Sequence, residues 1–99
     1  MSLVVSFPDP CIAERCRTTA ATDAAWGLAG RDVRESLCVL ASSPSLGAYD
    51  DHPNVSHEGA QTVYKGRTAD VMLELAALEG PPPEVLVKDV DVRDRTRAT

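Results

Sequence analysis

The sequence predicts an α+β fold: a small single domain over residues 1–99, with a short β-sheet and helices packed mainly on one of its faces. A compact α/β arrangement is the alternative. Three observations support the prediction. The chain opens with the strand-like "LVVSF" of residues 3–7. Capping residues then recur ahead of apolar residues at helical spacing. Last, two alternating segments, 61–65 and 84–92, flank an apolar stripe at helical spacing.

The first strand ends at Pro8-Asp9-Pro10, where Asp9 suits an N-cap and Pro10 a first helical position. A short helix follows from Cys11 to about Thr18, with Ile12 and Cys16 on its buried side. Thr22 and Asp23 offer the next cap, ahead of "AAWGLA", which Gly27 and Gly30 weaken. Asp32 with Glu35 fits a capping box for a helix that presents Val33, Leu37, Leu40 and Ala41 on one face. A strand through "LCVLA" is the competing assignment over 33–41, and the helix is preferred. Residues 42–60 carry Ser, Pro, Gly, Asp, Asn and His without periodicity. They are expected to form a long polar loop, beyond the ~12–15 residues at which structureless loops become uncommon, pinned by Tyr49 and Val55.

"QTVYK" at 61–65 alternates as a strand does, and Gly66 allows a sharp turn. Thr68 is then expected to cap a helix to about Leu78, with Val71, Met72, Leu75 and Leu78 as its apolar stripe. Gly80 and three consecutive prolines, Pro81 to Pro83, forbid its continuation. "EVLVKDVDVRD" resumes as a strand, with Leu86, Val90 and Val92 on its covered face. The opposite face begins apolar, at Val85 and Val87, and turns polar at Asp89, Asp91 and Arg93. Together these segments predict a C-terminal strand–helix–strand unit with a right-handed crossover.

Composition narrows the function classes. The chain is 43% hydrophobic and 25% charged, as ordinary globular proteins are. Its only aromatic residues are Phe7, Trp26, Tyr49 and Tyr64, so the core is built from Val, Leu and Ala. The net charge is −5, and residues 49–99 carry ten acidic against six basic side chains. That balance opposes direct binding to nucleic acid, which needs clustered Lys and Arg. It fits a solubility role, or one half of an electrostatic match to a basic partner. No stretch approaches the ~18 apolar residues of a membrane span, and residues 1–7 lack the basic region of a secretory signal. Three cysteines, an odd number, fit free thiols in a reducing cytoplasm.

Both histidines lie in "YDDHPNVSHEG", residues 49–59. With Cys11 and Cys16, His52 and His57 offer the ligand types of tetrahedral zinc. Thirty-five residues separate the two pairs, however, and the cysteines sit on a predicted helix. Five positions on a helix turn about 140°, so the two sulfurs diverge and, at roughly 8 Å between Cα atoms, cannot be bridged. Cys38 reads as a small buried apolar residue. No catalytic residue, cofactor or metal is assigned. In "YKGRTAD" at 64–70, a strand turning through glycine into a helix exposes backbone N–H groups that favour an anion. Lys65, Arg67 and Thr68 are the candidate anion-binding residues. Tyr49, Asp50, Asp51, His52 and His57 are candidate partner contacts on the loop. Arg93, Arg95 and Arg97 are candidate contacts along an extended, basic C-terminal edge.

The expected function is that of a small acidic soluble interaction protein of the cytoplasm. It would serve as an adaptor, inhibitor or assembly subunit whose surface contacts a protein partner, a second copy included. One alternative is a small-molecule or anion-binding enzyme in which the 64–70 turn and the 49–59 loop converge on a pocket, with a histidine near Lys65 or Arg67. Another is a zinc-stabilised module.

Overall fold

Local sequence signals set the helical first half. The computed structural model describes residues 3–94. Strand β1 (Val4–Ser6) leads to α1 (Pro10–Cys16), where the Asp9 carboxylate accepts the Cys11 N–H at 2.8 Å and Pro10 takes the first turn, as expected. Helix α2 (Thr19–Trp26) starts earlier than its expected cap. Thr18 is the N-cap and accepts from the Ala21 N–H at 3.0 Å. Thr22 lies buried within α2, its hydroxyl donating to the Thr19 carbonyl at 2.9 Å. A 3-10 turn, Gly27–Ala29, enters α3 (Gly30–Ser42), so residues 33–41 are helix and not strand. Arg34 ties α3 to α2 by donating to Thr22 Oγ1 at 2.6 Å and Asp23 Oδ1 at 2.7 Å.

The expected loop over 42–60 is largely structured. Ser45 caps a short helix α4 (Leu46–Asp50), accepting from the Ala48 N–H at 3.1 Å. Tyr49 and Leu46 then have a reason to dock, because both join the apolar core. Residues Val55–Glu58 form β2, joined to β3 (Gln61–Lys65) through Gly59 and Ala60. Gly59 has φ of +61°, which a two-residue hairpin turn requires and glycine supplies without strain.

The predicted strand–helix–strand unit is corrected. Residues Ala69–Leu78 form strand β4, and Glu84–Asp94 form β5. The sheet has five strands in the order β1-β5-β4-β3-β2. Strands β2 to β5 make an antiparallel meander, and only the β1–β5 pair is parallel. The stretch "VMLELAAL" is apolar in both phases, so it satisfies a helical stripe and a strand equally well. Pairing decides. As a strand, β4 is bonded to β3 on one side and along its whole length to β5 on the other.

The face of β5 is also corrected. Glu74 lies opposite Asp89 but Leu75 lies opposite Val87, so Lys88 is an extra residue, a β-bulge. The bulge flips parity and puts Val85, Val87, Val90 and Val92 on one face, with Leu86 on the other. Helices α1, α3 and α4 cover that valine face. The core between the layers includes Val33, Leu40, Tyr49, Tyr64, Val71, Leu73, Val85 and Val87. Beyond β1, the C-terminal half of β5 borders no strand among the described residues. There Asp89 accepts the Val90 N–H at 2.9 Å and Asp91 the Val92 N–H at 2.8 Å, so these outward donors are capped by neighbouring carboxylates.

Candidate functional site

The turn between β3 and β4 bears the residues expected to bind an anion. A carboxylate of the chain itself occupies it. Asp32, in the first turn of α3, is 1% exposed. Its Oδ1 accepts the Arg67 N–H at 2.9 Å. Its Oδ2 accepts the Thr68 N–H at 3.1 Å, the Thr68 hydroxyl at 2.8 Å and the Ala69 N–H at 3.2 Å. Asp32 therefore caps this turn and not its own helix, whose N-cap Ala29 has no side-chain bond. Burial alone would raise its carboxyl, but the donors from Arg67, Thr68 and Ala69 outweigh burial and hold it below the ordinary value. Gly66 makes the approach possible. A Cβ there would lie 2.5 Å from Asp32 Cγ. Lys65 and Arg67 remain exposed beside the turn.

Next to the turn is an open cleft of about 360 Å³, lined by Glu35, Asn54, Lys65, Gly66 and Arg67. The 49–59 and 64–70 segments thus meet at Asn54 and residues 65–67. Neither histidine lines the cleft. His52 accepts the Asn54 N–H at Nδ1, 3.1 Å away, and its ring lies 5.9 Å from that of Tyr64. His57 Nε2 is 3.4 Å from Asp50 Oδ1. Burial raises the Tyr64 phenol, contact with Asn54 opposes the rise, and the Glu35 carboxylate adds to it.

A second region is the sheet face opposite the helices. Outward positions there include Met72, Glu74, Ala76 and Leu78 on β4, and Glu84, Leu86, Asp89 and Asp91 on β5. Val4 on β1, paired with Glu84, stands on the same side. At one end, Arg93 donates to both Glu58 oxygens at 3.0 and 2.7 Å and to Asp70 at 3.0 Å. Its guanidinium thereby links β5, β4 and β2 across β3. Val63, which faces the same way from β3, is only 3% exposed. At the other end, Val4 is 42% and Leu78 44% exposed. No described helix packs on this face.

The remaining expected contacts are dispersed. Tyr49 is fully buried and pins α4, while its hydroxyl has no hydrogen-bond partner among the described residues. Asp51 is exposed, and Asp50 and His52 are half-buried. Arg95 and Arg97 lie outside the described residues. Cys11 and Cys38 are exposed thiols, so Cys38 is not the buried residue expected. Among the described residues, no three metal-ligating side chains come together, and Cys11, Cys16, His52 and His57 do not form the zinc set that was weighed.

Sequence reasoning missed Asp32, Glu35 and Asn54 as neighbours of the turn, and it missed the open sheet face. The face had a signal. The valine pairs 85/87 and 90/92 each keep period two but are out of phase by one residue, which marks a bulge. The chain matches no protein-family model, and no curated protein or solved structure resembles it significantly.

Proposed function

We propose that this chain is a small acidic interaction protein, an adaptor, inhibitor or assembly subunit that acts without chemistry of its own. Its contact surface is the helix-free face of the sheet. The observation that carries this reading is the exposure there of Val4 and Leu78, 42% and 44%, beside the half-buried Ala76 and Leu86. Large side chains on an open sheet face lose free energy to water and regain it when covered. The three unbridged thiols support a reducing, cytoplasmic setting. The partner is a protein, a second copy of this chain being one candidate.

The test is co-purification from the native host with light scattering on the eluted species. The wild-type chain is expected to elute with a stoichiometric partner or as a dimer, and Leu78→Asp as a lone monomer. A wild-type chain that elutes alone, or a variant that keeps the partner, overturns the reading.

The convergence of Asn54 with Lys65 and Arg67 favours a second reading, a small-molecule or anion site in the cleft. Arg67 and Lys65 supply positive charge there, and Asp32 already holds the backbone donors. Titration with inorganic phosphate, following the amides of residues 65–70, tests it. Saturable shifts support this reading, and unmoved resonances end it.

A further inference from the structure

From the layout of charge on the open sheet face, we infer that the partner it accepts is a cationic protein segment carrying apolar side chains. This inference rests on the proposed interaction role and specifies its partner. Glu74 and Asp89 are directly opposed across β4 and β5, and both are exposed. Like charges placed so repel, and nearby Asp91, opposite Met72, adds a third carboxylate. Among the described residues, none of the three forms an ion pair with Lys, Arg or His. Arg93 is spent elsewhere, on Glu58 and Asp70.

The apolar side chains flank this acidic centre. Ala76 pairs with Leu86 on one side of it, with Leu78 and Val4 beyond. Met72 lies on the other side. A partner that covers Leu78 and Leu86 must therefore bring a positive charge over Glu74 and Asp89, or it buries two opposed carboxylates without a counter-charge, since the Val90 N–H is a neutral donor to Asp89. That requirement disfavours a second copy seated face to face, because it would set one acidic centre against another. It also disfavours phosphate-bearing surfaces. A Lys- or Arg-bearing segment with Leu-like neighbours satisfies both parts of the face, and cross-face attraction would speed its capture.

The test uses the full chain and a synthetic amphipathic peptide built only of Lys and Leu, with oligolysine and a Glu/Leu analogue as controls. Amide shifts of residues 72–78 and 84–91 are expected to move saturably with the Lys/Leu peptide alone. Glu74→Gln combined with Asp89→Asn is expected to weaken binding about tenfold and to reduce its salt dependence. Equal binding by the double variant, or by the Glu/Leu peptide, overturns the inference. If Leu78→Asp then abolishes binding while the double variant does not, the face is a docking surface without charge selection, and the interaction reading survives alone. If neither variant matters, both readings fail. Binding that appears only after Arg95→Gln and Arg97→Gln are introduced would make the chain's own tail the occupant and overturn the inference as well.

Discussion

Replacing Asp32 should unfasten the turn between β3 and β4 from α3, and the size of the effect follows from its contacts. Its two oxygens accept three backbone N–H groups and one hydroxyl at 2.8–3.2 Å. A hydrogen bond to a charged group contributes about 1.5–3 kcal/mol, and an orphaned buried donor costs about 1–3 kcal/mol. Arg67 and Thr68 are exposed, so water recovers part of their loss, whereas Ala69 is 1% exposed and recovers little. Asp32→Ala is therefore expected to cost about 3–5 kcal/mol, and Asp32→Asn, which keeps one acceptor, about 2–3 kcal/mol. Set against the ~5–15 kcal/mol typical of a domain, the alanine variant lies near the edge of folding. Urea unfolding followed by Trp26 fluorescence measures both.

The same residue makes an acid-pH prediction. The folded-state carboxyl is held below its ordinary value, so its contribution is complete above the unfolded pKa of about 3.9 and is lost as pH falls through the lower, folded one. The gap between wild type and Asp32→Asn should accordingly close on acidification and stay constant near neutrality. A neutral-pH cost under about 0.5 kcal/mol for Asp32→Asn, or a gap that widens in acid, would refute the account of the turn.

Three further outcomes are expected. Tyr49→Phe removes a buried hydroxyl that has no partner among the described residues, so thermal melts should find the variant equal to wild type or more stable by about 1 kcal/mol. Gly66→Ala forces a Cβ to within 2.5 Å of Asp32 Cγ and should cost at least about 2 kcal/mol in urea unfolding, with amide shifts concentrated at residues 32 and 66–69. Burial raises the Cys16 thiol to about 11, with nearby Arg15 opposing the rise, so iodoacetamide at pH 8 should label exposed Cys11 and Cys38 well before Cys16 by peptide mass spectrometry.

The α+β class and the helices-on-one-face arrangement were legible in the sequence because their signals are local. Asp9 with Pro10 announces α1, the spacing of Val33, Leu37 and Leu40 announces α3, and "QTVYK" announces β3. The identity of β4 was not legible. Its Met, Leu, Ala and Glu residues favour helix intrinsically, and only pairing with β3 and β5 overrides that preference. The error then hid the open sheet face, half of which is β4. The 64–70 turn was singled out for free backbone donors at a helix start, whereas its donors belong to a turn between two strands and are already taken by Asp32. What the sequence concealed was that Asp32, thirty-five residues away, reaches those donors, because a residue that fits a capping box on its own helix carries no mark of serving another element.

The extra residue in β5 gives that strand an unusual intolerance. Residues before and after Lys88 behave as two short ribbons spliced half a pleat apart, each aiming its valines inward only because the splice is one residue long. Shortening the chain by one position there would turn one ribbon inside out, sending Val90 and Val92 into water and Asp89 and Asp91 into the oily layer. The alignment depends on a residue standing at position 88, and the register itself makes no use of the lysine ammonium.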